Sequence, residues 1–187
     1  MRKPIRTRLV DDWLVRGAQA GSRSAFERLA RRWQEPLWRH AFRLTGRQDV
    51  AWDVLQEAWV SIVTGLTRLE EPGGFRRWAY TIVSRRATDW LRKKGGPEAV
   101  GEGGLGLPDP ADEPGEDPAE GSTRSESLTR ALARLPRARR LLLDLHYVEG
   151  FGVAEMAEIL GLPEGTVKSR LHTARQALRD WMERTER

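Results

Sequence analysis

Apolar residues recur every three or four positions along most of this chain, and that spacing is typical of amphipathic helices. In the first half, Phe26, Leu29 and Trp33 share one face of a predicted helix. Two further helices are predicted over Asp49–Thr64 and Phe75–Lys94. Because no stretch of useful length alternates apolar and polar residues as a strand does, the predicted fold class is all-α.

The start of the chain carries weaker signals. We expect Met1–Val10 to be unstructured, and a short helix capped by Asp11–Asp12 to run through Ala18. Ser24 is the expected cap of the next helix. Pro36 lacks an amide hydrogen, so it should either start a new helix or kink the existing one.

Two helices separated by a tight turn are predicted near the end of the chain. The first has Val153, Met156 and Leu160 on one face, and Gly161–Pro163 forms the turn. The second has an apolar side and an opposite side that is basic and hydroxylic. The apolar side consists of Val167, Leu171, Ala174, Leu178 and Trp181, and the opposite side of Lys168, Ser169, His172, Thr173, Gln176 and Arg179. This arrangement predicts a helix-turn-helix whose second helix enters the major groove of DNA.

The helix predicted over Phe75–Lys94 also has a basic side. That side consists of Arg77, Thr81, Ser84, Arg85, Thr88 and Arg92, with Trp78 at its border. Arginines and hydroxyls beside an aromatic ring suit a phosphate-binding face, although a solvated basic face with core tryptophans has the same pattern. The spacing does not decide whether Trp78 and Tyr80 belong to the core. Arg86 falls on the apolar side, where we expect it to extend towards solvent or to pair with Asp89.

The helix predicted over Asp49–Thr64 has a mostly acidic polar side. This side consists of Asp49, Asp53, Gln56, Glu57 and Thr64, with Val60 in its middle. Trp52 falls in the apolar sector and is expected in the core. Carboxylates on a helix usually form a solvated face, whereas an acidic patch around an apolar residue also suits a contact with a basic protein surface. On the residues alone, the solvated face is favoured.

Residues 95–123 differ in composition from the rest of the chain. They include eight acidic residues, no Lys or Arg, and many glycines and prolines. Such a segment cannot bury enough apolar surface to fold alone, so it is predicted to be a flexible acidic linker. It would span about 30 Å on average, and at most roughly 95 Å. The linker divides the chain into two small helical domains, residues 1–94 and residues 124–187.

Charge and composition restrict the classes of function that the chain can have. The net charge of +5 suits an anionic partner such as nucleic acid or an acidic membrane surface, but composition alone is equally consistent with a soluble surface that is simply rich in arginine. With no cysteine and three scattered histidines, no metal, cofactor or catalytic site is expected. Gly101–Gly106 matches a dinucleotide-binding pattern, but no strand precedes it and no helix follows it. No apolar run suggests a signal peptide or a membrane span, so we expect a cytoplasmic protein without stable membrane insertion.

Two sets of segments together resemble the extracytoplasmic-function (ECF) RNA polymerase sigma factors. Glu149–Arg175 resembles region 4 of that family. The segments that resemble its region 2 are Ala25–Leu29, Asp53–Glu57, Phe75–Ile82 and Ala87–Arg92. The acidic linker falls where the family joins its two domains. Other helix-turn-helix regulators share parts of the region 4 pattern, so the order and spacing of both regions give the resemblance its specificity.

The resemblance implies a promoter-specificity subunit that binds core RNA polymerase and promoter DNA. For recognition of the minus-thirty-five element it implies Thr166, Lys168, Ser169, Arg170, His172, Thr173 and Arg175. For melting and capture of the minus-ten element it implies the Glu70–Gly74 loop and Arg77, Trp78, Tyr80, Ser84, Arg85 and Arg92. For docking on the polymerase clamp it implies Asp53, Gln56 and Glu57, which reverses the preference for a solvated face. The family often works under an inhibitory anti-sigma factor, although nothing in this chain identifies one.

Three positions depart from the family pattern. Many members have Asn where this chain has Arg85, which leaves the minus-ten base preference open. Trp52 replaces a residue that is usually charged, and Thr173 stands where Arg is frequent. The alternative function is a helix-turn-helix regulator that binds duplex DNA without polymerase, with the first half as a sensor or dimer domain.

Overall fold

The computed structural model of the chain describes residues 5–95, 131–132 and 134–185. The first half contains α1 (Ile5–Gln19), α2 (Arg23–Thr45), α3 (Gln48–Gly65) and α4 (Phe75–Gly95). The second half contains α5 (Arg137–Leu143), a π-helical turn (Asp144–Val148), α6 (Val153–Leu160) and α7 (Glu164–Thr185). Within those ranges every regular element is helical, so the all-α prediction is confirmed. Apart from Gly95, the predicted linker lies outside the described residues.

Two expectations for the start of the chain are wrong. Helix α1 begins at Ile5, inside the stretch expected to be unstructured. It packs against α2 and buries Leu14, because tertiary packing stabilises helices whose own sequence signals are weak. The cap of α2 is Ser22 rather than Ser24, since the Ser22 hydroxyl accepts a hydrogen bond from the amide of Ala25 at 3.3 Å.

Helix α2 continues through Pro36, so no new helix starts there. Leu37, Ala41 and Leu44, all beyond the proline, are buried. Their packing outweighs the loss of one backbone hydrogen bond at the proline. The helix ends at its cap Gly46, whose amide donates to the carbonyl of Phe42 at 2.8 Å.

Helix α2 is the centre of the first half, with α1, α3 and α4 packed around it. Trp33 of α2 is 2% exposed, and its ring lies edge-on to the rings of Phe75 (5.9 Å) and Tyr80 (6.4 Å) of α4. Its indole nitrogen donates to the carboxylate of Asp11 in α1 at 3.3 Å. Because a buried indole N–H needs an acceptor, this bond fixes α1 against the α2–α4 pair.

The core position predicted for Trp52 is wrong. Its side chain is 50% exposed and lies 5.7 Å from the ring of Trp38. Leu55, Ala58 and Ile62, which share the predicted apolar sector with Trp52, are buried, and so is Val54. The buried face is therefore centred away from Trp52, because α3 packs against both α2 and α4.

The predicted helix-turn-helix is present. Gly161 has a φ of 63°, in the left-handed region that favours glycine. The following amide, that of Leu162, donates to the carbonyl of Ala157 at 3.0 Å and closes the turn. The core residues of this motif are Met156, Ile159, Leu160, Leu162, Val167, Leu171 and Ala174. The preceding helix, α5, ends at Leu143 and continues as the π-helical turn.

The two halves pack against each other. Helix α4 contacts α6, and α2 contacts α5. The sequence did not indicate this contact, since it predicted two domains joined only by a linker. Among the helices of the described ranges, none is both long and apolar enough for a membrane crossing.

Candidate nucleic-acid interface

Helix α7 presents a polar face opposite a buried apolar face. Val167, Leu171 and Ala174 are at most 1% exposed and attach the helix to the rest of the motif. The exposed residues of the predicted site are Lys168, Ser169, His172, Thr173 and Arg175, whereas Thr166 and Arg170 are half-buried. The amphipathic pattern therefore placed this face correctly, including the intermediate position of Arg170.

The side chains of this face are held by weak local contacts. The hydroxyl of Ser169 donates to the carbonyl of Thr166 at 3.0 Å, and that of Thr173 to the carbonyl of Ser169 at 3.1 Å. The ammonium of Lys168 lies 3.9 Å from the carboxylate of Glu164, and both are exposed. Since exposed pairs of this kind contribute little, Lys168 can exchange Glu164 for another acceptor at small cost.

Arg175 lies at the edge of the face. Its guanidinium is 5.9 Å from the centroid of the Tyr147 ring, and Tyr147 is 56% exposed. A cation–π contact restricts the rotamers of the arginine without satisfying its N–H donors. Those donors remain suited to a phosphate or a base edge.

The predicted DNA-binding residues of α4 divide into two groups. Arg77, Arg85 and Arg92 are exposed, and Trp78 is half-buried. Tyr80 is 1% exposed and Ser84 2% exposed. The expected position of Ser84 on an exposed basic face is therefore wrong.

The reason is that α2 packs along this side of α4. The Ser84 hydroxyl lies 2.8 Å from Nε2 of His40 in α2, and the Tyr80 ring lies 4.8 Å from the His40 ring. Burial and, secondarily, the charge of Arg43 lower the pKa of His40 to about 3. Burial and the nearby Glu149 carboxylate raise the pKa of the Tyr80 hydroxyl. This part of α4 is thus an uncharged internal contact, and the exposed arginines supply the positive charge.

Arg86 has partners on α3, not the expected Asp89. Its guanidinium donates to the hydroxyl of Ser61 at 2.8 Å and lies 3.8 Å from the Glu57 carboxylate. The contact crosses between helices and could not be found from the spacing within one helix.

The acidic face of α3 borders an apolar groove. Asp53, Gln56 and Glu57 are all exposed, while Val60 and Val63 are 63% and 52% exposed. A groove of about 430 Å³ runs beside them, lined by Phe26, Ala30, Gln34, Gln56, Trp59, Val60, Val63 and Thr64. Exposed apolar side chains with a polar rim are typical of protein interaction sites.

Sequence reasoning missed part of this groove. Phe26 shares the apolar face predicted for its helix with the core residue Trp33, but both Phe26 and Trp59 are only half-buried. Their rings lie 6.0 Å apart and edge-on, which forms one wall of the groove. The sequence signal for the groove was Val60, an apolar residue within the polar side of α3. It indicated where the groove lies but not how far it extends.

The loop before α4 borders a second cavity. Pro72–Gly74 forms a short 3₁₀ turn, and the cavity beside it has a volume of about 370 Å³. Its polar lining includes Asp12, Glu71 and Arg77. In the described part of the chain, no group of acidic and histidine side chains could hold a metal ion.

Comparison with known proteins identifies the family. A model for sigma-70 region 2 matches residues 29–96, and a model for sigma-70 region 4 matches residues 125–178. The ECF RNA polymerase sigma factor SigM of Mycobacterium tuberculosis is 35% identical over 170 residues, which cover 90% of this chain and 82% of SigM. The ECF RNA polymerase sigma factor SigW of Bacillus subtilis is 27% identical over 173 residues, 88% of this chain and 92% of SigW.

A solved structure shares the fold. CnrH, in complex with the cytosolic domain of CnrY, superposes with a TM-score of 0.58 at 22% identity, covering 93% of this chain and 97% of that chain.

The fold and the two matched regions define a helical transcription-initiation factor. The chain belongs to the ECF RNA polymerase sigma factors. As a member of that family it is a non-enzymatic specificity subunit, which binds core RNA polymerase and promoter DNA. This result favours the sigma-factor function over a regulator that acts without polymerase.

Proposed function

We propose that each of the two predicted domains binds one promoter element. In this assignment, residues 1–94 bind core polymerase and the minus-ten element, and residues 124–187 bind the minus-thirty-five element. Residues 95–123 connect them. The protein works in the cytoplasm, where polymerase and promoters are found.

The observation that carries the proposal is the polar face of α7. It lies opposite the buried residues Val167, Leu171 and Ala174. Helix α7 follows a tight turn and is the second helix of the motif. A recognition helix in the major groove contacts bases with its first turns. Thr166, Lys168, Ser169, Arg170, His172 and Thr173 lie in those turns, with Arg175 at the edge towards phosphate.

For the minus-ten element we assign Arg77 and Arg92, both exposed on α4, to the DNA backbone, where phosphate contacts fix position without specifying sequence. Arg85, at the position where many members of the family have Asn, is assigned to the base preference. Trp78 lies at the border and can stack on an unpaired base, which would stabilise it by about 1–3 kcal/mol. Tyr80 and Ser84 support this surface from within, because both are buried.

For polymerase we assign the acidic face of α3 together with its groove. Asp53, Gln56 and Glu57 provide charge and polar contacts, while Val60 and Trp59 provide apolar area. This combination suits a basic partner surface with apolar side chains at its centre. An inhibitory anti-sigma factor is a further predicted partner.

Run-off transcription with purified core polymerase tests the proposal. Promoter templates should yield a defined transcript only when this protein is added, and the transcript should disappear when either promoter element is scrambled. Footprinting of the protein alone on the same template is the control. A specific duplex footprint without polymerase, combined with no promoter-dependent transcript, would contradict the proposal.

A further inference from the structure

The side chain of Gln19, the last residue of α1, holds the segment that follows α3. Its Nε2 donates to the backbone carbonyl of Leu66 at 2.9 Å and to that of Leu69 at 2.7 Å, 47 and 50 residues further along the chain. A primary amide carries two N–H donors on one nitrogen, and both are used here. Because a carbonyl can only accept, these partners also fix which way the amide of Gln19 points.

The segment between α3 and α4 has little regular structure of its own. It contains two short 3₁₀ turns, Leu66–Arg68 and Pro72–Gly74. The first residue of each turn is buried, whereas Glu70 and Glu71 between the turns are exposed. Since the hydrogen bonds of 3₁₀ turns have poor geometry, contacts from outside the segment determine its conformation. Helix α1 contacts both turns, and Gln19 supplies two directional hydrogen bonds.

Trp78, the residue proposed to stack on an unpaired base, packs beside this segment. Gly65 ends α3 directly before Leu66, and a Cβ added at Gly65 would lie 2.9 Å from Cζ2 of Trp78. The indole ring therefore packs directly on the backbone of Gly65. The position of the ring thus depends on where the end of α3 is held, and the next carbonyl, that of Leu66, is the one that Gln19 binds.

We infer that Gln19 is a positioning residue for promoter opening, because its amide fixes the Leu66–Leu69 segment and thereby the place where Trp78 meets an unpaired base. This inference rests on the proposed role of Trp78 at the minus-ten element. A ring that is already in position costs less conformational entropy when it binds than a ring that must first be ordered. Gln19 acts through Trp78 and makes no contact with DNA itself.

The test separates positioning from stability. Two hydrogen bonds that only stabilised the fold would change how much folded protein is present, not how well the folded protein opens a promoter. The informative quantity is therefore the ratio of open to closed complexes among those that are bound. Total binding is measured by gel shift, and opening by the permanganate reactivity of unpaired thymines in the minus-ten element.

Gln19→Met keeps the length of the side chain and removes both donors. The full chain is combined with core polymerase and with a promoter that the wild-type holoenzyme selects from a library randomised at the minus-ten element. The ratio of open to closed complexes should fall about tenfold, as expected when two hydrogen bonds to the segment are lost. An unchanged ratio for Gln19→Met would overturn the inference.

Two further variants show whether the donors are the cause. Gln19→Lys places an ammonium with three donors near the same carbonyls, and it should recover most of the promoter opening. Ser22→Ala removes the cap of α2 in the adjacent turn and lowers stability at a different site, so it should leave the ratio unchanged. The inference would also be overturned by a loss in Ser22→Ala equal to that in Gln19→Met, or by a Lys variant that opens no better than the Met variant.

Gly65→Ala reaches Trp78 by a route that leaves Gln19 intact. Gly65 has a φ of −96°, which alanine adopts without strain, so the added Cβ should displace the ring of Trp78 and lower the ratio. Because both changes act through Trp78, the double variant should lose less than the product of the two single losses, and fully multiplicative losses would overturn the shared route. Absence of any open complex with the wild type would contradict the proposed function, whereas wild-type opening that Gln19→Met leaves unchanged contradicts this inference alone.

Discussion

Acidification should destabilise the first half through His40. The imidazole is buried between α2 and α4, hydrogen-bonded to Ser84 and close to Arg43. Its pKa is lowered from 6.5 to about 3 in the folded protein. In the unfolded chain His40 is therefore protonated below about pH 6.5, whereas in the folded chain it is protonated only below about pH 3. The stabilising contribution is fully present above pH 6.5 and is lost as the pH falls towards 3.

The magnitude follows from that difference. Each pH unit between the two pKa values costs about 1.4 kcal/mol. At pH 5, which is 1.5 units below the unfolded pKa, His40 alone should lower the free energy of unfolding by ~2 kcal/mol relative to pH 7. Against a typical stability of about 5–15 kcal/mol for a small domain, a loss of this size is measurable.

Urea denaturation followed by tryptophan fluorescence provides the assay, because Trp33 lies in the same core. His40→Gln keeps a donor and an acceptor towards Ser84 but does not titrate. The carboxylates affect both proteins equally, so the informative quantity is the difference between wild type and variant. The wild type should lose ~2 kcal/mol more than the variant between pH 7 and pH 5. His172→Gln, on the exposed face of α7, should behave as wild type. Parallel stability curves for wild type and His40→Gln would refute the reasoning.

Four further substitutions test the remaining assignments. Lys168→Ala should weaken recognition of the minus-thirty-five element by roughly 1–3 kcal/mol if it contacts a base edge, as measured by holoenzyme binding to promoter DNA. Asp53→Arg combined with Glu57→Arg should abolish co-purification with core polymerase, because it reverses the charge presented to a basic surface. Arg85→Asn should shift the minus-ten preference rather than abolish transcription, which selection from a randomised promoter would reveal. Gly161→Ala should lower the free energy of unfolding by about 1–2 kcal/mol, because an L residue is strained at its positive φ.

Matched controls separate these effects from loss of fold. Gln176→Ala, on the same polar side of α7, should leave minus-thirty-five recognition unchanged. Asp180→Arg with Glu183→Arg makes the same charge change as the α3 pair but should leave polymerase binding intact. Gly165 lies in helix α7 with open space where a Cβ would be added. Gly165→Ala should therefore not lower the free energy of unfolding as Gly161→Ala does. An unaltered promoter affinity for Lys168→Ala, or surviving co-purification of the α3 variant, would remove the corresponding role.

Local patterns predicted the helices and the recognition face well. The apolar spacing of Val167, Leu171 and Ala174 fixes which side of α7 is buried, because this helix packs against its neighbours on one side only. The turn at Gly161 was predictable for a similar reason, since a left-handed residue there needs glycine. Both are short-range features that a single element expresses in its own sequence.

The errors have a different physical origin. Ser84 and Trp52 lie on helices that pack against more than one neighbour, so the buried face is wider than one stripe and its centre depends on the tertiary arrangement. Arg86 pairs with Glu57 across two helices. Each of these depends on contacts between residues distant in sequence, which periodicity does not record.

Tyr80 makes contacts both within the first half and with the second half. Its ring packs on Trp33 and His40 within the first half and on Phe151 of the second half. Substitution of Tyr80 by Ala would therefore weaken the core of the first half, remove a contact with the second half and alter the surface proposed to hold unpaired DNA, all at once. A change in transcription by a Tyr80 variant consequently assigns a DNA contact only when unfolding free energy and radius of gyration are measured on the same protein.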